Sequence, residues 1–199
     1  MPWTKSLPIR STSAVQRTLN AGIMALQDGI AGNLAGGTHH AMADWGEGFC
    51  VFNDVAVAIK VLQQSMWINK ALVIDCDVHQ GNGTAEIFKD DDRVFTYSIH
   101  GEKNYPFKKP PSNLDVGLPD KTVDKEYHRN LIESLDSVLS SFKPDIVFYL
   151  GGIDPLETDH FGRLSLTLKG LTLVSENVLL LKTSSKDCLD LLTVEERTL

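Results

Sequence analysis

Cysteine is scarce in this 199-residue sequence: Cys50, Cys76 and Cys188 are odd in number and form no Cys-x-x-Cys pair. That excludes a disulfide framework and a structural zinc knuckle, and it fits a reducing compartment. No apolar run approaches the ~20 residues that span a bilayer, and the opening MPWTKSLPIRST lacks the apolar core of a secretory signal. Neither a membrane span nor secretion is expected. Positive charge is in deficit, with 19 Lys and Arg against 26 Asp and Glu for a net −7 and no basic stripe, so direct nucleic-acid binding is not expected. Repeats and low-complexity tracts are also missing. The 42% hydrophobic and 23% charged composition is that of one ordinary folded domain rather than a disordered chain or a coiled coil.

Residues 1–27 carry Lys5, Arg10 and Arg17 and no acid before Asp28, a composition shared by organelle transit peptides. The alternative is a domain helix over Ser13–Gln27, with Val15, Leu19, Ile23 and Leu26 along one face. Beyond it, four short apolar runs rich in β-branched residues alternate with helical spacing, the pattern of βαβ units and a parallel sheet. The runs are Ile30–Leu34, Ala71–Cys76, Val94–Ile99 and Ile146–Leu150. Helices are expected over Asn53–Gln64 and Asp124–Phe142, the latter burying Tyr127, Leu131, Leu135 and Val138 and stopped by Lys143-Pro144. Gly101–Lys121, with four prolines, reads as a long irregular connection.

Nearly all the unusual polar residues fall just after strands: His39 and His40, then Asp75, Asp77 and His79, then Ser98 and His100, then Asp154. In open parallel sheets ligands bind outside the carboxyl ends of the strands, so four segments deliver polar groups to one edge. In DCDVH, alternate residues of an extended chain point the same way, so Asp77 and His79 can meet one ion. Asp154 would complete a set of one nitrogen and two carboxylates with an open position, which suits catalytic zinc and also Mn²⁺ or Fe²⁺. A strand-end cap is the plainer account of an isolated Asp-x-His. The pair His39-His40 on a glycine-rich loop can supply a base and a proton donor, with Asp75 as an orienting acid and Asn82 as a neutral partner. Gly81 and Gly83 are expected to let the loop after His79 turn tightly, and HQGNG lacks the spacing and Lys of a phosphate loop. Phe49 and Tyr105 lie on loops near the same edge and could wall an apolar slot.

The motifs GGTHHA, GEGFCVFND, IDCDVHQGNGT, YSIHGEKNYPF and GGIDPLETDHFGRLSLT resemble the zinc-dependent histone deacetylases, most closely the class IV and bacterial deacetylase-like branch. The resemblance runs from about Ser13 to about Leu171. It divides the chain into an extension (1–12), a partial histone deacetylase domain (13–171) and a divergent tail (172–199). It implies an α/β, arginase/deacetylase-like parallel sheet flanked by helices, incomplete in this chain. Asp77, His79 and Asp154 would hold one Zn²⁺, with His39 and His40 as the catalytic pair and Asp75 and Asn82 behind them. Asn82 stands where many members have Asp. Gly48, Phe49 and Tyr105 would line the acyl-lysine tunnel, and a structural K⁺ would sit against Asp75, Asp77, His79, Ser98 and Ile99.

The implied reaction is hydrolysis of the acyl amide of acetyl-lysine on histone tails or other proteins, with corepressor-type proteins as partners and the nucleus or cytoplasm as compartment. Organelle targeting stays open. The family's oxyanion-stabilising tyrosine has no counterpart, because the last tyrosine is Tyr149 and no glycine-rich loop follows Gly170. A truncated or alternatively spliced product of a deacetylase gene is therefore expected. Two other readings stand beside the active enzyme: a catalytically impaired isoform that binds zinc or acyl-lysine as a regulator, and a deacylase of acetyl-polyamines or fatty-acyl lysine.

Overall fold

The computed structural model describes residues 4–184 and 190–196, and Cys188 lies outside the described residues. In chain order the elements are α1 (Ser6–Asp28), β1 (Ile30–Asn33), α2 (Asp54–Gln64), β2 (Ala71–Asp75), α3 (Asn82–Phe88) and β3 (Val94–Gly101). They continue with β4 (Leu114–Leu118), α4 (Asp124–Ser141), β5 (Ile146–Gly152), α5 (Leu168–Ser184) and β6 (Asp190–Glu196). The strands form one sheet in the order β1-β6-β5-β2-β3-β4, and every neighbouring pair is parallel.

Side chains alternate across a strand, so a sheet covered on both faces needs apolar residues at consecutive positions. Leu72, Ile74, Tyr97, Ile99, Val147 and Tyr149 pack on one face against Tyr127, Leu131, Leu135 and Val138 of α4 and Val174 and Val178 of α5. The positions between them, Ala71, Val73, Val94, Ile146, Phe148 and Leu150, pack on the other face against α1 and α2. Each such large side chain contributes about 1.5–3 kcal/mol by leaving water, which makes this two-sided burial the main hold on the sheet.

The α4 face is the one the sequence spacing predicts. The first helix differs from expectation. It begins at Ser6 rather than Ser13, and the residues it buries are Thr18, Ala21, Gly22 and Ala25, while Val15, Leu19, Ile23 and Leu26 are only half-buried. Small side chains let α1 lie close on α2: a Cβ on Gly22 would stand 3.1 Å from Leu62 Cδ1. Two strands lie outside the expected four. β4 lies inside the proline-rich connection and is held by parallel pairing of Leu114–Leu118 with Tyr97–Gly101 of β3. β6 lies in the segment after Leu171 and pairs on both sides, with β1 and β5. Among the described residues, no helix is long and apolar enough to cross a membrane.

Candidate metal and histidine centre

The chain leaves β2 at Asp75 and β5 at Gly152, two neighbouring strands, so the loops that follow meet at one edge. There Asp77, His79 and Asp154 each offer a ligand atom, all within 4.8 Å of one another. Asp77 and Asp154 are nearly fully buried, and His79 is open enough to be reached, its side chain 18% exposed. His79 Nδ1 lies 2.9 Å from Asp77 Oδ1 and 3.0 Å from Asp154 Oδ2. Backbone groups fix both carboxylates: Val78 N–H donates to Asp154 Oδ1 and His79 N–H to Asp77 Oδ1. Gly152 makes the room, because a Cβ there would stand 2.7 Å from both an Asp154 and an Asp77 oxygen.

Two buried carboxylates this close repel each other unless a cation lies between them or one of them holds a proton. Burial and the neighbouring Asp77 push Asp154 up to about 6. Burial works against a charge on His79, yet hydrogen bonds to Asp154 and Asp77 raise it to about 10. Burial also opposes the charge on Asp77, but His79 and His39 overcome it and hold that carboxyl well below the usual range. The set thus collects positive charge at the point where its three donors converge. One imidazole and two carboxylates suit a divalent zinc, manganese or ferrous ion with a position left open.

The loop after β1 sets the two histidines beside this set, with ring centroids 4.1 Å apart and His40 5.9 Å from His79. Their partners differ in charge. His39 Nδ1 lies 2.6 Å from Asp75 Oδ2, and His40 Nδ1 lies 2.6 Å from Asn82 Oδ1. Burial holds Asp75 above the ordinary carboxylate range against the pull of His39. Burial and then His39 push His40 down to about 3, so that ring is neutral around pH 7.

At Gly81 the chain turns tightly, as expected, in an inverse γ-turn with φ −72° and ψ 66° closed by Asn82 N–H donating to the Gln80 carbonyl, and neither Gly81 nor Gly83 needs positive φ for it. Both glycines also provide clearance. A Cβ on Gly81 would stand 2.4 Å from Asp75 Oδ2, and one on Gly83 2.2 Å from the Ala41 carbonyl oxygen.

Three residues of the site carried no role in the sequence reading. Asn53 caps α2 by accepting from Ala56 N–H, and its Nδ2 donates to the carbonyls of His39 and Ala41 and to Thr84 Oγ1. Asp54, fully buried, accepts from Gly37 N–H, Thr38 N–H and Oγ1, and Thr18 Oγ1. Together they pin the histidine loop to the start of α2. Glu47 accepts from Asn82 Nδ2, Tyr105 Oη and Trp45 Nε1. An Asn-Asp pair ahead of an apolar helix is a start signal, and that signal was available.

Of the tunnel candidates, Tyr105 stands edge-on to His40 with centroids 5.0 Å apart. Gly48 also stands against His40, where a Cβ would meet His40 Cδ2 at 2.4 Å. Phe49 is 85% exposed, and both Gly48 and Phe49 have positive φ in a turn closed by reciprocal Glu47–Cys50 backbone bonds. A phenylalanine held there costs of order 1 kcal/mol of strain. Of the K⁺ candidates, Asp75 lies opposite Ser98 in the β2–β3 register, and the Ile99 side chain is in the core.

Ser98 Oγ lies 2.9 Å from His100 Nδ1. Burial pushes His100 down to about 4 from 6.5 despite Asp115. The folded chain therefore binds fewer protons at this site than the unfolded chain between those values. This part of the stability is full above about pH 6.5 and falls toward pH 4, by about 1.4 kcal/mol per unit at most. A His100→Gln chain is expected to lose less stability than the parent between about pH 7 and about pH 5. Urea midpoints at the two pH values check this, and equal losses would contradict it.

A profile of the histone deacetylase domain matches residues 2–196. The chain is 45% identical over 171 residues to an uncharacterized protein of Picosynechococcus, covering 86% of this chain and 57% of that one. It is 34% identical over 164 residues to histone deacetylase 2 of Arabidopsis thaliana, covering 81% and 42%. Among solved structures, an HDAC homolog from Aquifex aeolicus superposes with a TM-score of 0.78 at 28% identity, covering 94% of this chain and 53% of that one. The chain belongs to the histone deacetylase family, and its sheet is that of the arginase/deacetylase fold. It spans about half the length of these relatives.

Proposed function

We propose that this chain carries the metal and proton-transfer centre of a zinc-dependent hydrolase that cleaves the acyl amide of N-acetyl-lysine on histones or other proteins. The observation that supports it is one arrangement: Asp77, His79 and Asp154 converge beside two histidines, one backed by a carboxyl and the other by a side-chain amide. Zinc bound by Asp77, His79 and Asp154 would supply Lewis acidity toward the amide carbonyl and acidify a water. His40, neutral and with Nδ1 taken by Asn82, has Nε2 as its basic nitrogen to receive the proton of the attacking water. The C–O bond forms, the C–N bond breaks, and the same proton passes from Nε2 to the leaving lysine amine. His39 on Asp75 contributes charge and orientation beside His40. Gly48, Phe49 and Tyr105 would flank the acyl chain. A K⁺ near Asp75, Asp77, His79, Ser98 and Ile99 is part of the same reading.

A second reading has its own observation. Tyr105 Oη donates to Glu47, while Tyr149 lies in the core with its hydroxyl 3.1 Å from Ser175 Oγ. Among the described residues these two hydroxyls are engaged with Glu47 and Ser175, and a site without an oxyanion donor is typically slower by ~10²–10³. A chain that binds zinc and acyl-lysine with little turnover fits these facts.

The zinc-reconstituted chain is expected to hydrolyse an acetyl-lysine peptide in preference to acetyl-polyamines and fatty-acyl peptides. Chelation should stop the reaction, and His40→Gln should cut it by ~10²-fold or more. Metal and peptide binding without turnover would favour the second reading, and preference for another amide would change the substrate class. Hydrolysis indifferent to both chelator and His40→Gln would contradict the proposal.

A further inference from the structure

The geometry points to Glu47 as a positioning residue that fixes the proton on His40, acting through the side-chain amide of Asn82. This rests on the reading of His40 as the proton carrier. A carboxylate behind a histidine can only accept, so it forces the facing ring nitrogen to carry the hydrogen. An asparagine imposes no such choice, since either its oxygen or its NH₂ can face the ring. If the NH₂ faced His40, Nδ1 would have to accept, Nε2 would carry the hydrogen, and no basic nitrogen would be left for the water.

The choice is made one shell further out. Glu47 Oε1 lies 3.0 Å from Asn82 Nδ2 and is an acceptor, so the NH₂ must turn toward Glu47 and Asn82 Oδ1 toward His40 Nδ1, at 2.6 Å. Glu47 is itself kept as an acceptor. Tyr105 Oη donates to Oε1 at 2.7 Å and Trp45 Nε1 to Oε2 at 3.1 Å, and these bonds hold its carboxyl below the ordinary range. The neighbouring Gly48-Phe49 turn and the Tyr105 ring both flank His40. Glu47 thus joins the flanking groups of the slot to the histidine's tautomer. A neutral residue at the position of Asn82 is workable because a charged one stands behind it.

Three variants of the full chain test this: Glu47→Ala, Glu47→Gln, and Glu47→Ala in an Asn82→Asp background. Long-range ¹H–¹⁵N correlation near neutral pH, with His40 assigned by its loss in His40→Gln, reads the tautomer directly and needs no turnover. The parent is expected to show the hydrogen on Nδ1. Glu47→Ala is expected to mix the tautomers and lower kcat about tenfold, with less change in KM. Glu47→Gln, whose amide oxygen can still accept from Asn82, should recover most of the Nδ1–H form. With Asn82→Asp already in place, Glu47→Ala should cause no further tautomer change, because the substituted carboxylate fixes His40 alone. A merely structural part for Glu47, such as bracing Tyr105, would show the same loss in both backgrounds. Persistence of pure Nδ1–H in Glu47→Ala would overturn the assignment. Absence of hydrolysis in the parent would count against the proposed function while leaving the tautomer result to decide the place of Glu47.

Discussion

An Asp154→Ala chain is expected to lose stoichiometric zinc, with affinity falling by more than ~10²-fold, and with it any amide hydrolysis. Loss of a partner behind a ligand already costs about 10–100-fold, and loss of one ligand of three costs more. The substitution also removes one of the two carboxylates that hold the proton on His79, so that ring should titrate closer to its ordinary value. Because Asp154 Oδ1 also accepts from the buried Val78 N–H, the alanine chain is open to a folding objection. Asp154→Asn answers it: the amide oxygen can keep the Val78 bond while the second carboxylate charge is gone. The expected result is a folded Asn chain that binds zinc far more weakly than the parent. In the parent, zinc must displace a proton from His79, so apparent affinity should rise with pH through the neutral range. Metal content after gel filtration checks the substitutions, and an Asp154→Asn chain that retains full zinc would exclude Asp154 from the site.

An Asp54→Ala chain should be destabilised by about 3–5 kcal/mol, although Asp54 touches neither the metal ligands nor the histidine rings. Its buried carboxyl gathers the Gly37 and Thr38 amides and the Thr18 and Thr38 hydroxyls, all of which lose a partner at once. It also begins α2, where a negative side chain offsets the positive end of the helix. The loop it anchors delivers His39 and His40, so any amide hydrolysis should fall along with stability, even below the melting temperature. Urea unfolding measures the first effect. A change under about 1 kcal/mol would mean that the loop is held by its other contacts, chiefly those of Asn53.

These two residues mark how far the sequence could be read. Asp77, His79, Asp154 and the histidine pair stood out because ionisable groups directly after buried strands have little packing purpose, and the structure brings them together. Asn53 and Asp54 did not stand out, because an Asn-Asp before an apolar helix is satisfied as an ordinary helix start. Only the tertiary placement shows their other oxygens and nitrogens reaching the histidine loop. The same holds for Glu47, a lone acid in a glycine turn until the fold sets Asn82, Tyr105 and Trp45 around it.

Among the strands, β2, β3 and β5 were legible because burial on both faces demands unbroken apolar runs. β4 hid behind Asp115 and Gly117, which a half-exposed edge strand tolerates. β6, DLLTVEE, has a short apolar stretch flanked by acids, and its place comes from parallel pairing with two neighbours. In α1 the small residues Ala21, Gly22 and Ala25 carry the contact, and a search for large apolar side chains passes over them.

The most direct test of the account is calorimetric titration of the metal-free, monodisperse chain with zinc, run beside Asp154→Asn and repeated in buffers of different ionisation enthalpy. The account predicts one saturable site per chain, release of protons on binding near neutral pH, and loss of the tight isotherm in the variant. No saturable binding by the folded parent, or an isotherm unchanged by Asp154→Asn, would contradict a metal centre built from Asp77, His79 and Asp154.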